Sequence, residues 1–175
     1  MQLPNPIYGL GLPQSINLLV DYNPLWPLAY EEEALRIREA LGDRVLAIEH
    51  YGSTSIPGMP SKPIIDIQVG VADIAEGLTF IQPMAPLGYD YAGDQGIPEH
   101  HIFGRGRDRT HLVHVVKYAG EQWFRSLHFR DRLRSSSDLR REYLALKRAL
   151  ADGAATRSDY TAGKAEFVER VCKTK

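Results

Sequence analysis

The chain has 175 residues, 43% of them hydrophobic and 25% charged, with a formal net charge of −1. A chain of this length suits one domain that buries roughly 70% of the surface its unfolded form exposes, so its core needs no disulfide or metal. The single cysteine, Cys172, excludes an internal disulfide and a cysteine-based zinc site. No apolar run approaches the roughly 18 residues of a membrane-spanning helix, and the first residues do not resemble a signal peptide. We therefore expect a cytoplasmic protein with no membrane partner.

The first part of the chain is predicted to be an irregular arm, a short strand and a helix. Residues 1–15 are rich in glycine and proline and show no periodicity. A short edge strand is predicted at 16–21, and Trp26 is expected to be a core anchor. Apolar spacing then predicts a helix at 31–41, which Gly42 ends.

The remaining elements are predicted from the periodicity of their hydrophobic residues. In chain order they are strands at 45–48 and 64–71, a helix at 74–81, strands at 89–92, 100–103 and 111–116, and helices at 121–134, 139–151 and 160–172. A mixed sheet followed by helices indicates an α+β fold, with a helical C-terminal part at 120–175.

Charge is distributed unevenly between these two parts. Residues 1–119 hold 8 Lys and Arg against 14 Asp and Glu, whereas residues 120–175 hold 13 against 8. The basic C-terminal part is able to face an anion, although amphipathic helices also carry arginine on solvated faces.

A loop between the second and third predicted strands has the composition of a phosphate-binding loop. It begins at Gly52, Ser53 and Thr54, includes Lys62 and ends at the last of its three prolines, Pro63. Glycine lets the backbone approach a ligand closely, small hydroxyls donate hydrogen bonds, and proline limits flexibility. The loop is thus predicted to bind phosphate.

An acidic residue lies inside the β-branched strand that follows this loop. Alternation along the strand places Asp66 and Gln68 on one face and Ile65, Ile67 and Val69 on the other. A carboxylate in such a strand indicates a functional role.

The loop and this strand resemble the signature of the GrpB-like family. The matching motifs, in order, are Gly52-Ser53-Thr54, Pro57-Gly58, Lys62-Pro63 and Ile65-Asp66. That family resembles the nucleotidyltransferase superfamily, the fold shared with DNA polymerase β, whose motif is Gly-Ser followed by Asp-x-Asp. Gln68 stands where that motif has its second acid.

The resemblance implies one domain over 1–175, with a nucleotidyltransferase-like mixed sheet, flanking helices and a C-terminal helical segment. It implies that Gly52 and Ser53 bind a triphosphate tail, that Lys62 lies near phosphate, and that Asp66 is the catalytic residue and holds a divalent cation, Mg or Mn. Thr54 belongs to the same phosphate-binding motif.

Two histidines in the predicted strand at 111–116 are a second group of candidates. His111 and His114 are three residues apart, so they face opposite sides of a strand and do not share a metal. His114 matches a histidine of the GrpB-like family, which implies a position beside Asp66 as a second metal ligand. A site made of an aspartate and a histidine favours manganese or another transition metal. The alternative is a core histidine bonded to backbone.

Four basic residues in the predicted C-terminal helices complete the candidate phosphate ligands. Arg130 and Arg134 lie one helical turn apart and are able to bind one phosphate, or else to pair with acids of a neighbouring helix. Lys147 and Lys164 each follow a tyrosine by four residues. Lys164 falls in an apolar stripe, which indicates a phosphate or carboxylate partner, or a side chain that reaches past the core edge to solvent.

These residues support three hypotheses for function. The first is a nucleotidyltransferase that binds a nucleoside triphosphate and a divalent metal. The second is a catalytically reduced module that binds a nucleotide or another phosphorylated small molecule, because Gln68 replaces an acid. The third is a small metal-binding hydrolase centred on His114. Nucleic acid stays open as a partner, although no interleaving of aromatic and basic residues indicates it.

Overall fold

The computed structural model describes residues 7–13, 16–153 and 157–173. The strands of its five-stranded sheet are β1 (Ala47–Tyr51), β2 (Ile65–Val71), β3 (Tyr89–Tyr91), β4 (His100–Arg105) and β5 (His111–Lys117). The helices are α1 (Trp26–Leu41), α2 (Ile81–Met84), α3 (Glu121–Ser135), α4 (Ser137–Gly153), α5 (Arg157–Ala162) and α6 (Ala165–Lys173). The predicted α+β class with a mixed sheet is confirmed.

The order of the strands across the sheet is β1-β2-β5-β4-β3. The central strands β2 and β5 run parallel, and every other neighbouring pair is antiparallel. In the parallel pair Asp66 lies opposite Leu112, and Gln68 lies opposite His114. The register therefore brings the polar residues of two separate sequence segments onto one face of the sheet.

The other face of the sheet carries the main hydrophobic core. Ile65, Ile67 and Val69 of β2 are fully buried there and pack in one cluster with Trp26 and Ile37 of α1. Each such side chain contributes roughly 1.5–3 kcal/mol when it is removed from water. This packing fixes β2, and with it the positions of Asp66 and Gln68 on the opposite face.

A second, smaller core joins the C-terminal helices to the loop after β1. Its buried members are Ile56 and Met59 from the loop and Leu133, Tyr143, Phe167 and Val171 from helices α3, α4 and α6. The loop is thereby held between the sheet and the C-terminal helices.

The N-terminal part departs from the prediction in two ways. The predicted strand at 16–21 makes a single bridge, Val20 to Ser61, because it crosses the loop and does not reach the sheet. Helix α1 starts at Trp26, earlier than predicted, since proline is favourable in the first turn of a helix. Residues 1–6 and 14–15 of the predicted arm lie outside the described residues, and its Leu10 and Leu12 are fully buried.

Two predicted helices also differ from the structure. The stretch predicted as a helix at 74–81 is a 3-10 helix, Ile74–Phe80, that leads into α2. The helix predicted at 160–172 is two helices, α5 and α6, which separate at Gly163 and Lys164. Within the described ranges, no helix is long and apolar enough to cross a membrane.

Candidate phosphate and metal site

A cavity of about 140 Å³ lies where the loop after β1 meets the polar face of the sheet and the C-terminal helices. We call it the lysine cavity. It is lined by Ser53, Thr54, Lys62, Ile64, Asp66, Leu112, Lys147, Tyr160, Thr161 and Lys164. Six of the site residues predicted from the sequence therefore line one cavity, although they come from the loop, β2, α4 and the α5–α6 junction.

Gly52 forms the turn that brings the loop against Asp66. Its φ of 72° and ψ of −176° fall in a region that is essentially restricted to glycine. A Cβ atom on this residue would also overlap the Asp66 carboxylate. Gly52 therefore positions Asp66 through close backbone packing.

The two loop hydroxyls differ in what they contact. Thr54 is buried, and its Oγ1 donates to the Ile64 carbonyl at 3.3 Å and lies 3.0 Å from His50 Nε2. Burial raises the pKa of the Tyr143 hydroxyl to about 12, and the Ser53 side chain beside it partly opposes this shift. The Thr54 hydroxyl thus holds the loop in shape, while Ser53 lies beside Tyr143 of α4 at the cavity wall.

Two lysines converge on one aromatic ring at the cavity. Lys62 Nζ lies 3.6 Å and Lys164 Nζ 4.6 Å from the centroid of the Tyr160 ring. Lys62 Nζ also donates to Asn17 Oδ1 at 2.7 Å. Cation–π contacts of this kind stabilise an ammonium group in a partly desolvated site.

The third lysine is almost completely buried. Lys147 is 2% exposed, and its Nζ donates to the Pro60 carbonyl at 2.6 Å. Burial, and secondarily the positive charge of Lys164, lower the pKa of Lys147 to about 7. Burial also lowers the pKa of Lys164, although Asp66 opposes this shift. An anion in the cavity would raise the pKa of both lysines, because it stabilises their charged forms.

Asp66 faces a pair of histidines on its other side. Its Oδ1 lies 3.9 Å from His114 Nε2, and His114 Nδ1 lies 2.9 Å from His100 Nε2. Burial lowers the pKa of His114 to about 3 and that of His100 to about 4, so both rings are neutral near pH 7. The structure places His114 beside Asp66, as the sequence predicted, in contact with a second histidine that the prediction did not include.

Gln68 does not line the lysine cavity. Its Nε2 donates to the Trp123 carbonyl at 3.3 Å, and Ser126 Oγ donates to its Oε1. Both ends of this amide, which is 2% exposed, are therefore occupied by helix α3. Gln68 therefore supports the packing of α3 on the sheet.

Arg130 and Arg134 line a different cavity, of about 560 Å³, on the other side of the loop. Arg130 pairs with Glu49 of β1 and Asp131 of its own helix, each at 2.8 Å. Arg134 donates two hydrogen bonds to the Ser55 carbonyl, at 3.1 and 2.9 Å. The sequence offered ion pairs with acids of a neighbouring helix as the alternative to phosphate binding. Ion pairs do form, but their acids belong to β1 and to α3 itself. Neither arginine lines the lysine cavity.

Comparison with known proteins identifies the family of this chain. A family model described as GrpB protein matches residues 17–174. The chain belongs to the GrpB family. It is 31% identical over 169 residues to a glutamate-rich protein GrpB of Alkalihalophilus pseudofirmus, covering 93% of this chain and 97% of that protein. It is 36% identical over 157 residues to a UPF0157 protein of Halalkalibacterium halodurans, covering 89% of this chain and 80% of that protein.

The GrpB fold is also seen in a solved structure. The crystal structure of the conserved protein GrpB from Enterococcus faecalis aligns with a TM-score of 0.81 and 32% sequence identity, over 89% of this chain and 95% of that chain. The family resemblance inferred from the loop and the Asp66 strand is thereby confirmed.

Asp66 and His114 of this GrpB protein fit a metal ion whose remaining ligands come from water and from a bound phosphate compound. Within 7–13, 16–153 and 157–173, no three His, Cys, Asp or Glu side chains are grouped to hold a metal. Asp66 and His114 are a set of two. Magnesium is commonly bound by one or two carboxylates together with water and substrate phosphates, so Asp66 fits a metal–phosphate ligand better than a resident metal.

Sequence reasoning missed His100 as a neighbour of the site. His100 and His114 share a face because β4 and β5 are antiparallel, with Ile102 opposite His114. Alternation alone predicts that His100 and Ile102 share a face. It does not give the register that brings His100 to His114.

Proposed function

We propose that this GrpB protein is a nucleotidyltransferase that binds a nucleoside triphosphate and a divalent metal ion in the lysine cavity. The observation that carries the proposal is the composition of the cavity wall, where one carboxylate, Asp66, lies among Lys62, Lys147 and Lys164. Lysines bind phosphate as point charges, and a carboxylate beside them provides a place for a cation between protein and phosphate.

The lysines favour an anion because they are charged groups removed from water. Burial lowers the pKa values of Lys147 and Lys164. In the free protein, keeping these lysines in their charged form therefore costs free energy. A bound polyphosphate lowers this cost, since attraction between opposite charges is strong in a site of low dielectric. The cavity is therefore suited to a ligand with several negative charges.

Asp66 is suited to hold the metal that accompanies such a ligand. The side chain of Asp66 is 29% exposed, and His114, which is neutral near pH 7, lies beside its Oδ1. A divalent ion supplies neutralisation of the charge on the phosphates. Asp66 holds its place through Gly52 and β2, and the lysines orient the phosphate chain. Nucleotidyl transfer then joins the α-phosphate to an acceptor group and releases pyrophosphate.

A second candidate function is a binding module that keeps the same ligand but transfers nothing. Gln68 favours it, because its amide is committed to Trp123 and Ser126 and adds no carboxylate to the cavity. The two candidates differ in pyrophosphate release, which the transferase shows with a suitable acceptor and the binding module does not. A hydrolase centred on His114 stays a prediction. The Nδ1 atom of His114 is already hydrogen-bonded to His100.

The test of the proposed function is calorimetric titration of ATP with magnesium into the wild type and the Asp66→Asn variant. We expect binding that requires the metal in the wild type and at least about tenfold weaker binding in Asp66→Asn, because the amide loses the charge that holds the cation. The matched control is Asp43→Asn, which removes the same charge from the 3-10 turn Gly42–Arg44 and leaves binding intact. Equal magnesium-dependent binding by Asp66→Asn and the wild type would show that the proposal is wrong.

A further inference from the structure

We infer that the lysine cavity recognises the polyphosphate tail of its ligand and not the base. The four ribonucleoside triphosphates and inorganic tripolyphosphate are then bound with similar affinity. The inference rests on the proposed function and adds to it the chemical class that the site selects. Three features of the cavity support it: its size, the described side chains that line it, and the burial and contacts of the aromatic ring among them, Tyr160.

The size of the cavity suits phosphates alone. Its volume of about 140 Å³ lies below the roughly 300–1,000 Å³ of pockets that enclose a drug-sized ligand. A base and ribose therefore lie outside the enclosed part when the phosphates lie between the lysines and Asp66. A group that stays near solvent contributes little to discrimination.

Among the described residues, the side chains that line the cavity lack the paired donors and acceptors that recognise a base edge. Specific recognition of a base uses paired donors and acceptors, such as the amide of Asn or Gln or the fork of Arg. The described polar groups of the lining are ammonium, hydroxyl and carboxylate groups, at Ser53, Thr54, Lys62, Asp66, Lys147, Tyr160, Thr161 and Lys164. This set binds charge and does not distinguish one base from another.

The aromatic ring in the lining is already used. Tyr160 is 2% exposed, and the ammonium groups of Lys62 and Lys164 lie 3.6 and 4.6 Å from its ring centroid. Stacking on an aromatic ring is the common way to bind a base without regard to its edge. Because the Tyr160 ring is buried and in contact with two cations, it offers no face to a base.

Aromatic side chains do line the cavity on the other side of the loop. Tyr22 and Tyr30 lie there together with Arg130 and Arg134. Stacking on a tyrosine ring adds affinity for any base. A base that reached that cavity would therefore make all four nucleotides bind tighter than tripolyphosphate, and that result would overturn the inference.

The experiment is a set of calorimetric titrations with magnesium in the wild type, using ATP, GTP, CTP, UTP, tripolyphosphate and adenosine. We expect the five phosphate compounds to bind within about fivefold of one another, the smallest factor that one good base contact supplies, and adenosine not to bind. The Lys164→Met variant is expected to weaken all five by the same factor, because the contact it removes is to phosphate.

The outcomes separate this inference from the proposed function. One nucleotide that binds more than about fivefold tighter than the others, or adenosine that binds by itself, overturns the inference and leaves the role of Asp66 standing. Tripolyphosphate that binds while no nucleotide does overturns both, and so does the absence of binding by all five compounds.

Discussion

At the scale of single residues, Gly52 connects the conformation of the loop to the position of Asp66, the proposed metal ligand. It combines a positive φ of 72° with direct packing of its backbone against Asp66. Gly58, in the same loop, also has a positive φ, of 75°, but a Cβ atom there meets nothing within 4 Å. Comparing an alanine substitution at each glycine therefore separates the cost of backbone strain from the effect of displacing Asp66.

We predict that Gly52→Ala both destabilises the protein and weakens metal-dependent nucleotide binding by about tenfold or more, since the new methyl group displaces the carboxylate. Gly58→Ala is expected to cost only the roughly 1–2 kcal/mol of a left-handed residue and to leave binding unchanged. Urea unfolding and calorimetry measure the two effects. Similar nucleotide affinities in both variants would contradict the role given to Gly52.

The pKa of Lys147 gives the site a pH dependence with a definite sign. The free protein has a Lys147 pKa of about 7, and a bound anion raises it because the anion stabilises the ammonium form. The contribution of Lys147 to affinity is therefore complete below pH 7 and is lost as the pH rises above 7 toward the pKa of the bound state.

We predict that the advantage of the wild type over Lys147→Met in triphosphate affinity is largest below pH 7 and shrinks as the pH is raised above 7. Comparing the two proteins at each pH cancels the titration of the ligand itself. Calorimetry across this range measures the ratio of affinities. A ratio that stays constant would mean that Lys147 does not titrate in contact with the ligand.

At the scale of elements, the packing of β2 against helix α3 explains why a second acid at position 68 would not complete a metal site. We predict that Gln68→Asp lowers the free energy of unfolding by at least about 2 kcal/mol, because a carboxylate cannot donate to the Trp123 carbonyl and is buried. Magnesium affinity in the presence of ATP is expected to stay the same. Urea unfolding and calorimetry test both statements, and tighter metal binding would contradict the assignment of Gln68 to packing.

The elements also show how far the sequence carries a prediction. The Asp66 strand and its loop were predictable because alternation, glycine, proline and the family motif are local signals in one continuous stretch. The break between α5 and α6 was not, since the apolar stripe from Tyr160 to Val171 continues across Gly163 and Lys164 as one helical pattern. The break matters because Lys164, which lines the cavity, lies in it.

The sequence predicted which basic residues are candidate ligands better than it predicted which of them lie together in the fold. The sequence identified Arg130, Arg134, Lys147 and Lys164 as candidate phosphate ligands but did not divide them between two cavities. That division depends on which faces of α3 and α4 turn toward the sheet, which is set by the second core. The excess of basic residues in 120–175 did not distinguish the two pairs either.

At the scale of the whole molecule, the second core couples the C-terminal helices to the lysine cavity. Phe167 of α6 is 6% exposed and packs with Tyr143, whose hydroxyl lies beside the Ser53 side chain. Loss of this packing frees α4, which carries Lys147, and α6, which begins directly after Lys164. The main core on the opposite face of the sheet does not depend on it.

We predict that Phe167→Ala costs roughly 3–5 kcal/mol, as for other buried phenylalanines, and weakens triphosphate binding. Phe124→Ala is the matched control, because Phe124 is 60% exposed, and its effect on both quantities is expected to be small. Chemical denaturation and calorimetry provide the comparison. Unchanged triphosphate binding in Phe167→Ala would show that the second core does not support the cavity.

The most direct test of the central claim is a crystal structure of the protein with ATP and manganese, in which anomalous scattering locates the metal. We predict a manganese ion bound to the Asp66 carboxylate and a triphosphate between Lys62, Lys147 and Lys164. A metal or triphosphate bound instead beside Arg130 and Arg134, on the other side of the loop, would contradict the assignment of the lysine cavity as the functional site.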